Sequence, residues 1–329
     1  MTTLAPLLES FFTKRLLTER QASPDTIASY RTTFCLLLRF ADDHLGKAPS
    51  QLEITDLDAP LIGAFMEHLE HARHNSARTR NARLAAIHSL FRYATVRVPE
   101  HAAVTQRVLA MSGPRTERAV ITFLTDDEVD ALLASPNPAT WTGRRDHTLL
   151  AIAVQTGLRL SELTGLHRSD VHLGTGPHVR CTGKGRKQRC TPLTTDNVAI
   201  IQRWLREQPG SPTDPLFPSR RRGILSGDAV QALVAKHAAV ASEHCSSLHS
   251  KHVTPHTLRH TAAMRLLRAG VDISVIALWL GHERIETTHI YLHADLDIKE
   301  HALARTTPIN VRPGRYKPTD PLLTFLEAL

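Results

Sequence analysis

The second half of the chain carries side chains suited to phosphoryl chemistry: Arg159, His256, Arg259, His282 and Tyr291. Two guanidiniums can grip phosphate oxygens in a bidentate way without ever losing their proton. Imidazoles can move a proton, and a phenol can act as a nucleophile. Such a set can stabilise and attack a phosphodiester with no metal in the scheme. Arg159 lies in Thr156-Gly157-Leu158-Arg159-Leu160-Ser161-Glu162-Leu163, between a glycine that ends one helix and the start of the next. Its alternative reading is an ordinary ion pair with Glu162. His256 and Arg259 lie three apart in His256-Thr257-Leu258-Arg259-His260, on neighbouring positions of one predicted helix face. Their alternative is a satisfied histidine and a surface arginine on a helix that runs into the core. Lys184 stands between two glycines at a predicted hairpin tip, where the backbone can approach a ligand closely. It reads either as a proton donor entering a nucleic-acid groove or as a solvated turn residue. Tyr291 follows Gly281-His282 and is the one tyrosine near that element, the others being Tyr30, Tyr93 and Tyr316. A phenol with an ordinary pKa of about 10 is a poor nucleophile at neutral pH. The expectation is that nearby Arg and His charges favour its phenolate.

Elements that must position these groups follow from periodicity. Leu7, Leu8, Phe11, Phe12, Leu16 and Leu17 share one helical face over residues 4–19. Ser23-Pro24-Asp25 supplies a cap and a proline for a second helix, and residues 56–69 and 79–94 predict a third and fourth. Val98-Pro99 ends the fourth helix, a linker follows, and Ser112-Gly113-Pro114 marks the domain boundary. Thr125-Asp126-Asp127-Glu128 has the form of a capped, acidic helix start. Residues 146–156 predict a helix closed by Gly157. Residues 178–182 and 188–193 predict two short strands joined by Gly183-Lys184-Gly185-Arg186. Helices over 196–208, 227–242, 257–269 and 272–280 complete the reading. A proline-rich tail ends in the apolar Leu322-Leu323-Thr324-Phe325-Leu326. The expected division is 1–112, 113–305 and a tail of 306–329.

At 329 residues the chain has room for two domains, and 42% hydrophobic content suits a soluble protein. No apolar run approaches a membrane span and the N-terminus has no secretory pattern, so the expected location is cytoplasmic, with no membrane partner. Cys35, Cys181, Cys190 and Cys245 form no metal-binding or disulfide framework. Cys181 and Cys190 flank the hairpin, where they either face each other as thiols or, the better reading, serve as small apolar fillers. A net charge of +8 favours a polyanionic partner. Residues 71–98 contain no acidic residue but include Arg73, Arg78, Arg80, Arg83, Arg92 and Arg97, which points to phosphate contacts. An ordinary exposed helix is the alternative.

The ordered set Gly-x-Arg-x-x-Glu, hairpin Lys, His-x-x-Arg-His, Gly-His and Tyr resembles the tyrosine recombinase (phage integrase) family. The resemblance covers residues 156–293 and matches Arg159, Lys184, His256, Arg259, His282 and Tyr291, with Glu162 and His260 in supporting positions. It implies a mainly α protein with a small β-sheet: a helical, SAM-like core-binding domain followed by an α+β catalytic domain. It also implies site-specific cleavage and rejoining of double-stranded DNA through a 3′-phosphotyrosyl link, with no cofactor, metal or ATP. In that scheme Arg159 and Arg259 hold phosphate oxygens, His256 handles the nucleophile's proton, Lys184 protonates the leaving oxygen and His282 adds a hydrogen bond. Four protomers on two duplexes would lend their tails to one another; whether accessory recombinases take part stays open. Arg73, Arg78, Arg80, Arg83 and Arg92, with Lys184 and Arg186, would contact DNA, in integration, excision or transposition. Two rivals remain. His256 and His260 have the spacing of zinc ligands, with His282 as a third, although Thr257 stands where a metalloprotease has Glu. A non-catalytic DNA-binding factor on the same scaffold is the other.

Overall fold

The computed structural model describes residues 3–115, 121–183 and 187–293. The chain divides into two compact units, Met1–Ala119 and Val120–Leu329. Among the described residues no helix is long and apolar enough to cross a membrane.

The first unit is helical. α1 (Leu4–Ser10) runs into a π-helical stretch, Phe11–Glu19, and α2 (Pro24–Leu45) starts on the Ser23 cap and stops at Gly46 in the left-handed region. α3 (Ala59–His71) is capped by Asp58 and α4 (Ala77–Arg97) by Ser76, each side chain accepting a backbone N–H from the first turn. Where a linker is expected after Pro99 there is a further helix, α5 (Ala102–Leu109), which packs on α4. Its eight residues bury only Thr105 and Val108, too short a pattern to stand out in the sequence. Leu84, Ile87, Leu90, Phe91 and Ala94 of α4 form its buried stripe. The aromatic centre is Phe11, ringed by Phe12, Tyr30, Phe34 and Tyr93.

The second unit opens with α6 (Asp126–Ala134), whose Thr125 and Glu128 form the expected capping box. α7 (Trp141–Thr156) is its central helix, and α8 (Leu160–Thr164) follows after Gly157. β1 (Val171–His172), β2 (His178–Thr182) and β3 (Gln188–Pro192) form an antiparallel sheet in that order. The two-residue β1 is too short for any period to announce it. α9 (Thr195–Glu207), α10 (Gly227–Ser242), α11 (Pro255–Arg268) and α12 (Ile273–Leu280) follow, and 3₁₀ turns cover Ile285–Thr287 and His289–His293. α7 packs against α11, α9 and α6. In the sheet Cys181 is paired with Arg189 and Cys190 with Arg180. The two cysteines therefore do not face each other: Cys181 is buried and Cys190 exposed, on opposite faces of the pleat. Burial pushes the Cys181 thiol up to about 11, which keeps it protonated.

Candidate active site

Two glycines make the site possible. Gly157 closes α7 and Gly281 closes α12, both with left-handed backbone, φ +63 and φ +64. Each turn leaves carbonyls at the negative end of a helix pointing outward. Arg259, buried on α11, donates from Nη1 to Gly157 O at 2.5 Å and from Nη2 to Leu280 O at 2.7 Å. Arg159 donates from Nη2 to Gly281 O at 2.7 Å. Two like charges are thus held near each other by carbonyl dipoles. Burial, and then the Arg159 charge, push Arg259 down to about 10, so it stays cationic at neutral pH.

Glu162 supplies the counter-charge. Its carboxylate is 2% exposed and accepts from Arg159 Nη1 at 2.9 Å and from the Arg159 backbone N–H at 2.8 Å. The ion pair read from the sequence as an alternative role for Arg159 therefore exists, and it orients the guanidinium. Glu162 also accepts two bonds from Arg189 on β3, at 2.8 and 2.7 Å. Burial alone would raise the Glu162 pKa, but hydrogen bonds from Arg189 and Arg159 hold it below the usual carboxylate range.

The turns after α12 bring Tyr291 back against α11. Its ring is buried with Ala263, Met264, Ile276 and Leu280. Its hydroxyl lies 3.0 Å from His260 Nδ1, and the His260 ring stands edge-on to that of His256 at 4.3 Å. Burial, then the charges of His256 and Arg259, push His260 down to about 4, so at neutral pH its ring is uncharged and can accept a hydrogen bond from the phenol. His282 is likewise pushed down to about 4, by burial and then Arg259. Its Nδ1 shares a 2.7 Å hydrogen bond with the buried Thr288 hydroxyl.

Three expectations change. Tyr291 is not poised as a phenolate: burial raises its pKa to about 12, outweighing Arg259 and Arg159, which pull it down. Its hydroxyl shares a hydrogen bond with His260, the residue the sequence reading placed in support. His256 and Arg259 are neighbours on α11 but point differently, His256 exposed and Arg259 buried. Lys184 and Arg186 lie outside the described residues, as does the tail at 306–329. Among the described residues no group of three His, Cys, Asp or Glu side chains is placed to hold a metal ion, so His256, His260 and His282 do not close into a zinc set.

The model of the phage integrase family matches residues 122–297, and that of the phage integrase N-terminal SAM-like domain matches residues 10–97. The chain belongs to the phage integrase, or tyrosine recombinase, family. Among relatives of this tyrosine recombinase, the integrase/recombinase y4rC of Sinorhizobium fredii is 56% identical, covering 99% of this chain and 98% of its own. Tyrosine recombinase XerC of Pelobacter propionicus is 32% identical over 92% of this chain and 98% of its own. Solved structures share the fold. XerH site-specific recombinase in a post-cleavage complex with palindromic difH substrate superposes with TM-score 0.70 at 23% identity, covering 87% of this chain and 81% of that one. The Tn1549 transposon integrase in complex with a circular intermediate DNA gives TM-score 0.68 at 16% identity, covering 93% and 99%.

The residue that sequence reasoning missed in this recombinase is Arg189. A signal existed: in an antiparallel strand the residue opposite buried Cys181 must face inward, and an inward arginine needs a partner. In the first unit Arg73, Arg78 and Arg92 are exposed, with Arg78 and Arg92 two heptads apart on one side of α4. Arg80 pairs through Nη2 at 2.7 Å with Glu70, one residue outside the acid-free stretch. Arg83 is half-buried, its charge disfavoured by burial and by Arg73. Arg97 lies over the Tyr93 ring at 5.1 Å.

Proposed function

We propose that this chain is a site-specific DNA recombinase that cuts and rejoins duplex DNA through a covalent link between Tyr291 and a 3′-phosphate, without metal or ATP. The observation that carries the reading is the Tyr291 hydroxyl, hydrogen-bonded to a neutral His260 at 3.0 Å beside the two dipole-held guanidiniums. The names of its relatives and the folds of its neighbours support the same reaction class.

In this scheme the phosphate enters between Arg159 and Arg259, whose N–H groups not used on carbonyls bind its non-bridging oxygens. The Tyr291 oxygen bonds to phosphorus as the bond to the 5′ oxygen breaks. The phenol proton passes to the His260–His256 pair, and the leaving oxygen takes a proton to become a 5′-hydroxyl, with Lys184 as donor. His282, held through Nδ1 by Thr288, presents its other ring nitrogen to the phosphate. One phosphodiester is exchanged for another, so no outside energy source is required. The 5′-hydroxyl of a partner duplex then reverses the step. Arg73, Arg78 and Arg92 would hold flanking phosphates, and a homotetramer on two sites would complete strand exchange. Integration, excision and transposition all use this chemistry.

Covalent trapping tests the reading. The protein first selects its site from a pool of random-sequence duplexes, and that duplex is then nicked beside the scissile phosphate and incubated in chelator. A DNA adduct with wild type and none with Tyr291→Phe is the expected result. Specific binding with no adduct would refute catalysis and return the protein to a DNA-binding role.

A further inference from the structure

We propose that Arg189 is a positioning residue for strand cleavage, a clamp that ties the Glu162 carboxylate to the carbonyl end of α12 and so fixes where Arg159 and His282 stand. Its guanidinium uses both faces of its fork. Nη1 and Nη2 bond the two oxygens of Glu162, and Nε donates to Trp279 O at 3.1 Å. Glu162 has about four lone-pair sites, and Arg189 fills two while Arg159 fills the others. Trp279 is itself tied to the end of α7, its Nε1 donating to Thr156 O at 3.1 Å. A closed circuit results: β3 to α8 through Glu162, α8 to α12 through Arg159 and Gly281, α12 back to β3 through Trp279.

Gly281 is fitted to this clamp. A Cβ there would stand 2.7 Å from Arg189 Nη1 and 3.1 Å from its Cζ, so the glycine before His282 is demanded by Arg189 as well as by its backbone. The circuit needs a planar, doubly forked cation. A lysine at 189 would keep the charge but could not span both carboxylate oxygens and the Trp279 carbonyl together. Arg159 would then swing on Glu162, and the α12 end carrying His282 would loosen. Arg189 donates to Glu162 and to a backbone carbonyl, so it acts through Arg159 and His282. This role rests on the recombinase reading, because it concerns where those two groups meet the phosphate.

The test compares wild type, Arg189→Lys, Arg159→Lys and the double variant in single-turnover adduct formation on the selected, nicked duplex. Affinity for that duplex and hydrogen exchange of residues 159–163 and 279–282 are measured in parallel. Misplacing a reacting group by an ångström costs about 10²-fold, so Arg189→Lys should cleave about 10²-fold more slowly with affinity changed less than about threefold. In the Arg159→Lys background the same change should cost well under 10²-fold further, because the share of the clamp that acts through Arg159 is already gone and only the share through His282 remains. Cleavage by Arg189→Lys near the wild-type rate, or losses that multiply in the double variant, would overturn the assignment. If wild type binds but forms no Tyr291-dependent adduct, the recombinase reading fails, and exchange decides for the clamp. Faster exchange at 279–282 and 159–163, with α10 unchanged, upholds it, and unchanged exchange there removes it. Should Arg189→Lys unfold the unit, Glu162→Gln/Arg189→Gln removes both buried charges together, and wild-type cleavage by that protein would overturn the proposal equally.

Discussion

Replacing Glu162 by glutamine removes one charge from a carboxylate that is 2% exposed and accepts four hydrogen bonds. Glutamine keeps one acceptor oxygen and puts an amide NH₂ where the other stood. Whichever way it turns, two arginine or backbone N–H groups then face a donor. Two lost hydrogen bonds to a charged group cost about 3–6 kcal/mol, and breaking a buried ion pair costs about 3–5 kcal/mol. Arg159 is 34% exposed, so water screens part of its loss, whereas Arg189 at 13% exposure bears most of it. The two routes converge on about 4 kcal/mol. For a unit of this size each kcal/mol moves Tm by about 2–4 °C, so a drop of about 8–16 °C is expected. All three tryptophans, Trp141, Trp204 and Trp279, lie in the second unit, so their fluorescence on heating reports it alone. The folded carboxyl sits below its usual value near 4.5, so its stabilisation is present above that pH and is lost as pH falls through the folded value. The gap between wild type and Glu162→Gln should therefore narrow as pH falls below that usual value and through the lower folded one. A variant that melts within about 3 °C of wild type at pH 7 would refute the argument that this carboxylate compensates the guanidiniums.

Gly157→Ala should cost about 2–4 kcal/mol, since it adds left-handed strain to a Cβ 2.8 Å from Leu280 and 3.0 Å from Ala262. Gly46→Ala, with similar φ and nothing within 4 Å of its Cβ, should cost only about 1–2 kcal/mol, and urea unfolding followed unit by unit separates them. Lys251 donates to the buried Glu128 at 2.6 Å, so Lys251→Met should destabilise the second unit by about 3 kcal/mol, read by the same fluorescence melt. His260 and His282 are neutral when folded and ordinary when unfolded, so the unfolded chain takes up protons first. Their penalty is nil above about pH 6.5 and grows as pH falls to about 4, and His260→Gln should flatten that part of a Tm-against-pH curve. Tyr291→Phe should abolish adduct formation yet change stability by only about 1 kcal/mol, because one hydrogen bond to His260 is lost and the ring stays packed.

Much of this was legible in the sequence. The Ser23-Pro24 start of α2, the Thr125 capping box and the Gly157 stop are local signals, and local chemistry decides them. The family and its ordered motif could be read for the same reason, because each motif is contiguous. What escaped was set by contacts distant in the chain. Arg189 finds its meaning 27 residues back at Glu162 and 90 residues on at Trp279. Arg80 finds a counter-ion at Glu70, just outside the window that looked purely basic. The motif places charges that favour the Tyr291 phenolate, and Arg259 and Arg159 do pull that way, but desolvation of a ring with 1% exposure is the larger effect.

The two glycine motifs then take a common physical sense. Three guanidiniums, those of Arg159, Arg189 and Arg259, converge on one pocket against a single buried carboxylate, and like charges at that spacing should repel. Each of them also donates to a carbonyl at or near a helix C-terminus: Gly157 on α7, and Trp279, Leu280 and Gly281 on α12. Helix C-termini carry about half a negative charge each. A left-handed glycine is what ends a helix while turning those carbonyls outward. Thr-Gly-Leu-Arg and Leu-Gly-His are therefore one device used twice, a negative helix end built to hold arginines without neutralising them. The net positive charge that remains is what a phosphate, and still more a phosphorane carrying extra charge on its oxygens, would satisfy. Burial keeps Tyr291 protonated in the protein alone, its pKa pushed up to about 12 while that of its partner His260 is pushed down to about 4, so proton transfer between them is uphill there. In this scheme the same phosphate that satisfies the arginines raises the basicity of His260, so the nucleophile gains reactivity only when DNA is in place.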